Sequence, residues 1–185
     1  MQVLLKISRW IDRLSDWVGS FTIGLTLMMV AIGAYNAITR YLGKFIGTNL
    51  SSNLYIEVQW YLFSLIFLLG AAYVLKQNAH VRVDILYSRL STKGKAWIDL
   101  VGSSLMLLPM CGLILVSSWP AVVNSWHVFE MSSDPSGLPR YPLKTMILVA
   151  FALLALQGIS EGIKNIAILS NYSSGSSRIQ GGNDA

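Results

Sequence analysis

Charge is scarce in this chain. Of its 185 residues, 12% are Asp, Glu, Lys or Arg, while 54% are hydrophobic. Soluble domains carry about 25% charged residues. A chain this poor in charge cannot cover itself with a solvated surface, which excludes a soluble globular domain. The mean hydropathy of +0.54 also excludes disorder. Cysteine is nearly absent: Cys111 stands alone, which rules out an internal disulfide framework and a multi-cysteine metal site. Two histidines, His80 and His127, are too few and too far apart for a bis-histidine haem. With no cluster of His, Cys, Asp and Glu at ligand or catalytic spacing, the reading expects no cofactor, no metal and no enzyme.

Long apolar runs are what the chain does have. No charged residue falls between Val18 and Thr39, Val58 and Leu75, Leu100 and Phe129, or Thr145 and Ser160. About 20 apolar residues at 1.5 Å rise span a hydrocarbon core about 30 Å thick. The expected fold is therefore an all-α integral membrane protein with four transmembrane helices, at about 17–40, 57–76, 97–123 and 144–168. Trp17, Trp60, Trp97, Trp119 and Trp126 fall near the predicted helix ends, as interfacial tryptophans do.

Before the first span, Val3, Leu4, Ile7, Trp10, Ile11 and Leu14 recur at helical spacing among Lys6, Arg9, Asp12 and Arg13. Residues 1–16 read as an amphipathic interfacial helix. Residues 170–185 read as a flexible polar tail. The loop before the last span holds Pro135, Gly137, Pro139 and Pro142, and a short helix is expected around Val122–Glu130.

Lys and Arg set the orientation. Ten of them lie in the N-terminal segment, the second loop and the C-terminal part; four lie in the first and third loops. The positive-inside rule then places both termini in the cytoplasm, and the basic pI of about 9.4 reflects membrane orientation rather than nucleic acid.

Ionisable residues inside a span cost about 2.5–3.5 kcal/mol at the centre and mark transport pathways. None sits at a predicted helix centre here, so the chain is poorly equipped to carry a charged solute by itself. Glu57, at the start of the second helix, reads either as a helix-dipole partner or as a contact for a partner or lipid. Arg40 shares a helix face with Asn36, where it snorkels to the interface or binds a phosphate or carboxylate. His80, Arg82 and Asp84 alternate along one strip, as a solvated loop or an interface latch. Gly158 and Gly162 form a GxxxG pair that permits close helix packing. Pro109 is a possible kink in the third span.

The strings Glu57-Val58-Gln59-Trp60-Tyr61-Leu62-Phe63, Gly70-Ala71-Ala72-Tyr73 and His80-Val81-Arg82-Val83-Asp84-Ile85 resemble the small membrane subunit of tripartite ATP-independent periplasmic (TRAP) transporters. So do Asn36 with Arg40-Tyr41, and Gly137-Leu138-Pro139-Arg140-Tyr141-Pro142-Leu143-Lys144. The resemblance covers residues 10 to 168. It implies a four-helix subunit of the bacterial inner membrane, partnered by a large multi-spanning membrane subunit that carries the substrate and sodium sites. A periplasmic binding protein would deliver the substrate, often an organic acid. The small subunit would brace the large one's scaffold. The resemblance implies Arg40, Glu57, Gln59, Trp60, His80, Arg82 and Asp84 as contacts to the partner or to lipid. The competing reading is a self-associating small channel or exporter. It needs mid-helix polar groups, for which Thr22, Thr26, Ser64, Ser103 and Ser104 are the modest candidates.

Overall fold

The computed structural model describes residues 2–48, 52–77 and 90–180. Helix α1 spans Gln2–Ile46 and α2 spans Asn53–Lys76. Helix α3, Thr92–Val101, passes through a π-helical stretch at Gly102–Leu107 into α4, Leu108–His127. Helix α5 runs from Tyr141 to Gln180. No strand occurs among the described residues, and four helical segments are long and apolar enough to cross a membrane.

Local chemistry explains the starts and breaks. Ser52 caps α2 by accepting from the Leu54 N–H at 3.2 Å, and Ser91 caps α3 through the Gly94 N–H at 3.2 Å. Pro109 lies just past the π stretch. It has no N–H, and its ring would press on the carbonyl four residues back in a regular helix. The widened turn before it lets the Leu108 N–H reach the Ser103 carbonyl, five residues back, so α3 and α4 form one continuous span.

The first helix is longer than the sequence reading drew it. No proline interrupts residues 2–46, and the segment read as a separate interfacial helix is the first third of α1. Its Ser8, Ile11 and Ser15 are buried. At the other end of the chain, α5 continues well past Ser170, where the polar tail was expected to begin. The short helix expected before the proline-rich loop is the last turn of α4, which ends at His127.

The helices run up and down. Gly19 meets Tyr73 and Gly33 meets Gln59, so α1 and α2 are antiparallel. Ser8 meets Ser160 and Ser15 meets Gln157, so α1 and α5 are antiparallel. Gly158 lies against Leu107 and Gly162 against Leu100, so α5 packs antiparallel on the third span as well. Helix α5 is the hub: it touches α1, α2, α3, the π stretch and α4. Its buried residues Ala150, Gln157, Ser160 and Asn165 accordingly fall on more than one face. Gly19 is a point of close approach between α1 and α2. A Cβ there would sit 2.4 Å from the Tyr73 ring, so only glycine fits.

Candidate functional site

Two polar clamps hold the bundle, one at each end. The first ties α1 to α5. Ser15 donates to Gln157 Oε1 at 2.7 Å, and Gln157 Nε2 donates to Asp12 Oδ1 at 3.0 Å and to Glu161 Oε1 at 3.1 Å. Ser160 bonds Asp12 at 3.0 Å, and its hydroxyl lies 2.7 Å from that of Ser8. Lys164 closes the cluster with ion pairs to Asp12 and Glu161, each 2.8 Å. Gln157 and Ser160 are 0% exposed. Every buried donor and acceptor therefore needs its partner, because an unpaired buried polar group costs about 1–3 kcal/mol. Asp16 and Lys76 form an ion pair between α1 and α2 at the same end.

The second clamp fastens the proline-rich loop to α2. Glu57 is 6% exposed, and its Oε2 accepts the Leu138 N–H at 2.7 Å. The Tyr61 hydroxyl lies 2.6 Å from the Pro139 carbonyl and 3.1 Å from that of Leu138, and Asn53 reaches the Pro135 carbonyl at 3.2 Å. The loop is folded on itself. Ser132 N–H donates to the Leu138 carbonyl at 3.0 Å, and Arg140 N–H to the Glu130 carbonyl at 2.8 Å. Glu130 is paired with Lys144 and accepts from Ser125 at 2.7 Å. The Lys144 ammonium, followed by the Ser125 hydroxyl, holds the Glu130 carboxyl below the usual glutamate range. A Cβ on Gly137 would lie 2.6 Å from Ser132, so the tight loop requires glycine at that point.

Between α2 and this loop lies a cleft of about 400 Å³ lined by Asn53, Glu57, Trp60, Tyr61, Arg140 and Lys144. Trp60 is 72% exposed at its edge.

The residues singled out in the sequence separate here. Glu57 bonds within the chain. Gln59 turns toward α1, with its Oε1 3.0 Å from where a Cβ on Gly33 would stand, and its amide donates to the Tyr55 carbonyl at 3.1 Å. Trp60 and Arg40 face outward. Arg40 lies at the opposite end of α1 from the Asp12 cluster, and its side chain makes no hydrogen bond or ion pair with the described residues. His80, Arg82 and Asp84 lie outside the described residues. The GxxxG pair packs within the chain, Gly158 against Leu107 and Gly162 against Leu100.

Four of the five mid-span candidates are tied down locally, and Ser104 is exposed. Thr22, Thr26, Ser64 and Ser103 donate to carbonyls of their own helices at 2.7, 2.9, 2.8 and 2.7 Å. No group of three or more His, Cys, Asp or Glu that could hold a metal occurs among the described residues.

The profile of the tripartite ATP-independent periplasmic transporters, DctQ component, matches residues 28–167. The chain belongs to this family. It is a small permease subunit of a TRAP transporter. A curated protein of Haemophilus influenzae, provisionally named a TRAP transporter small permease protein, is similar to it. The two are 27% identical over 139 residues, which cover 75% of this chain and 83% of the relative. No solved structure matches it. The match to the small permease family takes in both ends of the α2 clamp, Glu57 and Leu138, and all of α5 up to Ala167.

The α1–α5 bonds of the first clamp escaped the sequence reading, although Glu161 and Lys164 are spaced i, i+3 to pair, as they do. The signal of those bonds was present: Ser8, Asp12 and Ser15 recur at helical spacing on α1, and Gln157, Ser160, Glu161 and Lys164 do so on α5. Two polar stripes in flanking apolar helices are the mark of an interhelical network.

Proposed function

We propose that this small permease is the accessory subunit of a sodium-coupled carrier for organic acids in the bacterial inner membrane, with both termini cytoplasmic. It binds a large multi-spanning subunit that carries the substrate and sodium sites, and a periplasmic binding protein supplies the substrate. Its task is mechanical and involves no catalysis. It widens the static scaffold against which the large subunit's transport domain moves, and its interfacial tryptophans fix the scaffold's depth. Arg40, Trp60, His80, Arg82 and Asp84 serve contacts to the partner or to lipid.

One observation carries this reading. The helices are clamped by charged and polar networks at both ends, while no Asp, Glu, Lys or Arg lies between Val18 and Thr39, Val58 and Leu75, or Thr145 and Ser160. A chain that moved a charged solute itself would need ionisable groups at that depth. A frame needs stiffness at its ends and an apolar outer surface.

The test is reconstitution. Proteoliposomes holding the large subunit, loaded binding protein and a sodium gradient should take up an organic acid only when this chain is present. Uptake should cease when the gradient is dissipated. Full uptake by the large subunit alone would refute the bracing role, and uptake indifferent to sodium would refute the coupling.

A further inference from the structure

The first sixteen residues of α1 have two faces. One is packed on α5 through Ser8, Ile11 and Ser15. The other carries Lys6, Arg9, Trp10 and Arg13, all exposed. Their spacing, i, i+3, i+4 and i+7, puts them on a single stripe. These four residues line a shallow cleft of about 230 Å³. Trp10 is 65% exposed, and Trp17, one turn beyond Arg13, is 71% exposed.

The two acidic residues of the segment are held elsewhere, Asp12 by Lys164 and Asp16 by Lys76. Asp16 keeps half of its side chain exposed, so the outward charge of residues 2–17 is predominantly positive, Lys6, Arg9 and Arg13 against one ion-paired carboxylate. Lys6 to Arg13 rises about 10 Å along the helix. A headgroup layer is about 5–8 Å thick on each side of the hydrocarbon core. Trp17 stands where the charge-free run of α1 begins; Arg13, about 6 Å further along the helix, falls in that layer, with Arg9 at about 12 Å and Lys6 beyond it on the outer side. Below them the same surface continues as the stacked and exposed pair Trp17 and Phe21.

We propose that Lys6, Arg9, Trp10 and Arg13 form a binding site for the phosphate headgroup of an acidic phospholipid. The guanidinium groups of Arg9 and Arg13 take the phosphate oxygens, for which their planar fork is suited. Lys6 adds charge at the outer edge, and Trp10 packs against the headgroup between the two arginines. The ligand is a lipid rather than a soluble phosphate because the cationic stripe runs without a break into the apolar surface of the span. The α1–α5 clamp turns the stripe outward, which gives that network a second role beyond stability.

The test uses the full chain in mild detergent, offered equal phosphatidylglycerol and phosphatidylcholine, with bound lipid read by native mass spectrometry. Each cation near an anionic headgroup is worth about fivefold in affinity. Wild type should retain phosphatidylglycerol in clear preference. Arg9→Gln with Arg13→Gln should reduce the preference by at least about fivefold. Lys44→Gln with Lys93→Gln removes the same charge at exposed positions elsewhere and should leave it intact. Equal losses in the two double variants, an unchanged preference in the Arg9/Arg13 variant, or displacement of the lipid by excess inorganic phosphate would each overturn the proposal.

Discussion

Gln157 and Asp12, 145 residues apart in sequence, meet in the α1–α5 interface, where the Gln157 amide donates to the Asp12 carboxylate at 3.0 Å. Gln157 also takes the Ser15 hydroxyl and reaches Glu161. One fully buried side chain thus joins two carboxylates and a hydroxyl. Replacing it with Leu keeps the bulk and removes all three bonds. The variant should lose about 1–3 kcal/mol, since it strands the Ser15 hydroxyl and weakens the setting of Asp12. Interhelical bonds in membranes average nearer 0.6 kcal/mol each, which still sums to a measurable loss. The midpoint of unfolding in a denaturing-detergent titration reads it; an unchanged midpoint would show that the network does not hold the helices.

Two glycines of α1 should respond in opposite ways to alanine. At Gly19 a Cβ meets the body of the Tyr73 ring at 2.4 Å, and the ring cannot swing away as a flexible chain would. Gly19→Ala should cost about 1–3 kcal/mol by forcing α1 and α2 apart. At Gly24 nothing lies within 4 Å, so Gly24→Ala should be neutral or gain up to about 1 kcal/mol of helix propensity. Thermal denaturation of the two variants side by side decides it.

The α2 clamp is tested by the Glu57 pair of variants. Glu57→Gln keeps an oxygen able to accept the Leu138 N–H, whereas Glu57→Ala removes it. Glu57→Ala should open the loop to proteolysis between Met131 and Pro139, with little change in the helices. Glu57→Gln should be cut at close to the wild-type rate. Equal cutting of both variants would show that the loop does not depend on this bond.

The Glu130 carboxyl titrates below its ordinary value of 4.5 because Lys144 and Ser125 bond its charged form. Its folded pKa is depressed, so its contribution to stability is complete above 4.5 and is lost as pH falls through the lower folded value. Lys144→Gln should move the Glu130 titration back toward 4.5 and flatten the acid limb of the stability profile. Titration followed by NMR at the Glu130 side chain reads the shift directly. A titration in Lys144→Gln no higher than in wild type would contradict the assignment.

The four spans were legible because charge cannot lie in hydrocarbon: Asp16 and Arg40 bound the charge-free stretch inside the longer α1, and Glu57 and Lys76 bound that of α2. The unbroken run of α1 from residue 2 was less so. An amphipathic pattern such as Val3, Ile7, Ile11 fits a helix on a membrane surface as well as one packed on a neighbour, and only the pairing of Ser8 with Ser160 decides between them. Glu57 shows the same limit. Its place at a helix start suggested a dipole partner, while its bond is to an amide 81 residues away. Contacts made across the bundle depend on which helices are neighbours, and hydropathy does not carry that information.

The central claim is that this small permease works as part of a larger membrane assembly. The direct measurement is affinity purification of the tagged chain from its native membranes in mild detergent, with partners identified by mass. The account predicts a stoichiometric large multi-spanning protein in the purified complex. A stable homo-oligomer purified alone, conducting solute in liposomes, would contradict it.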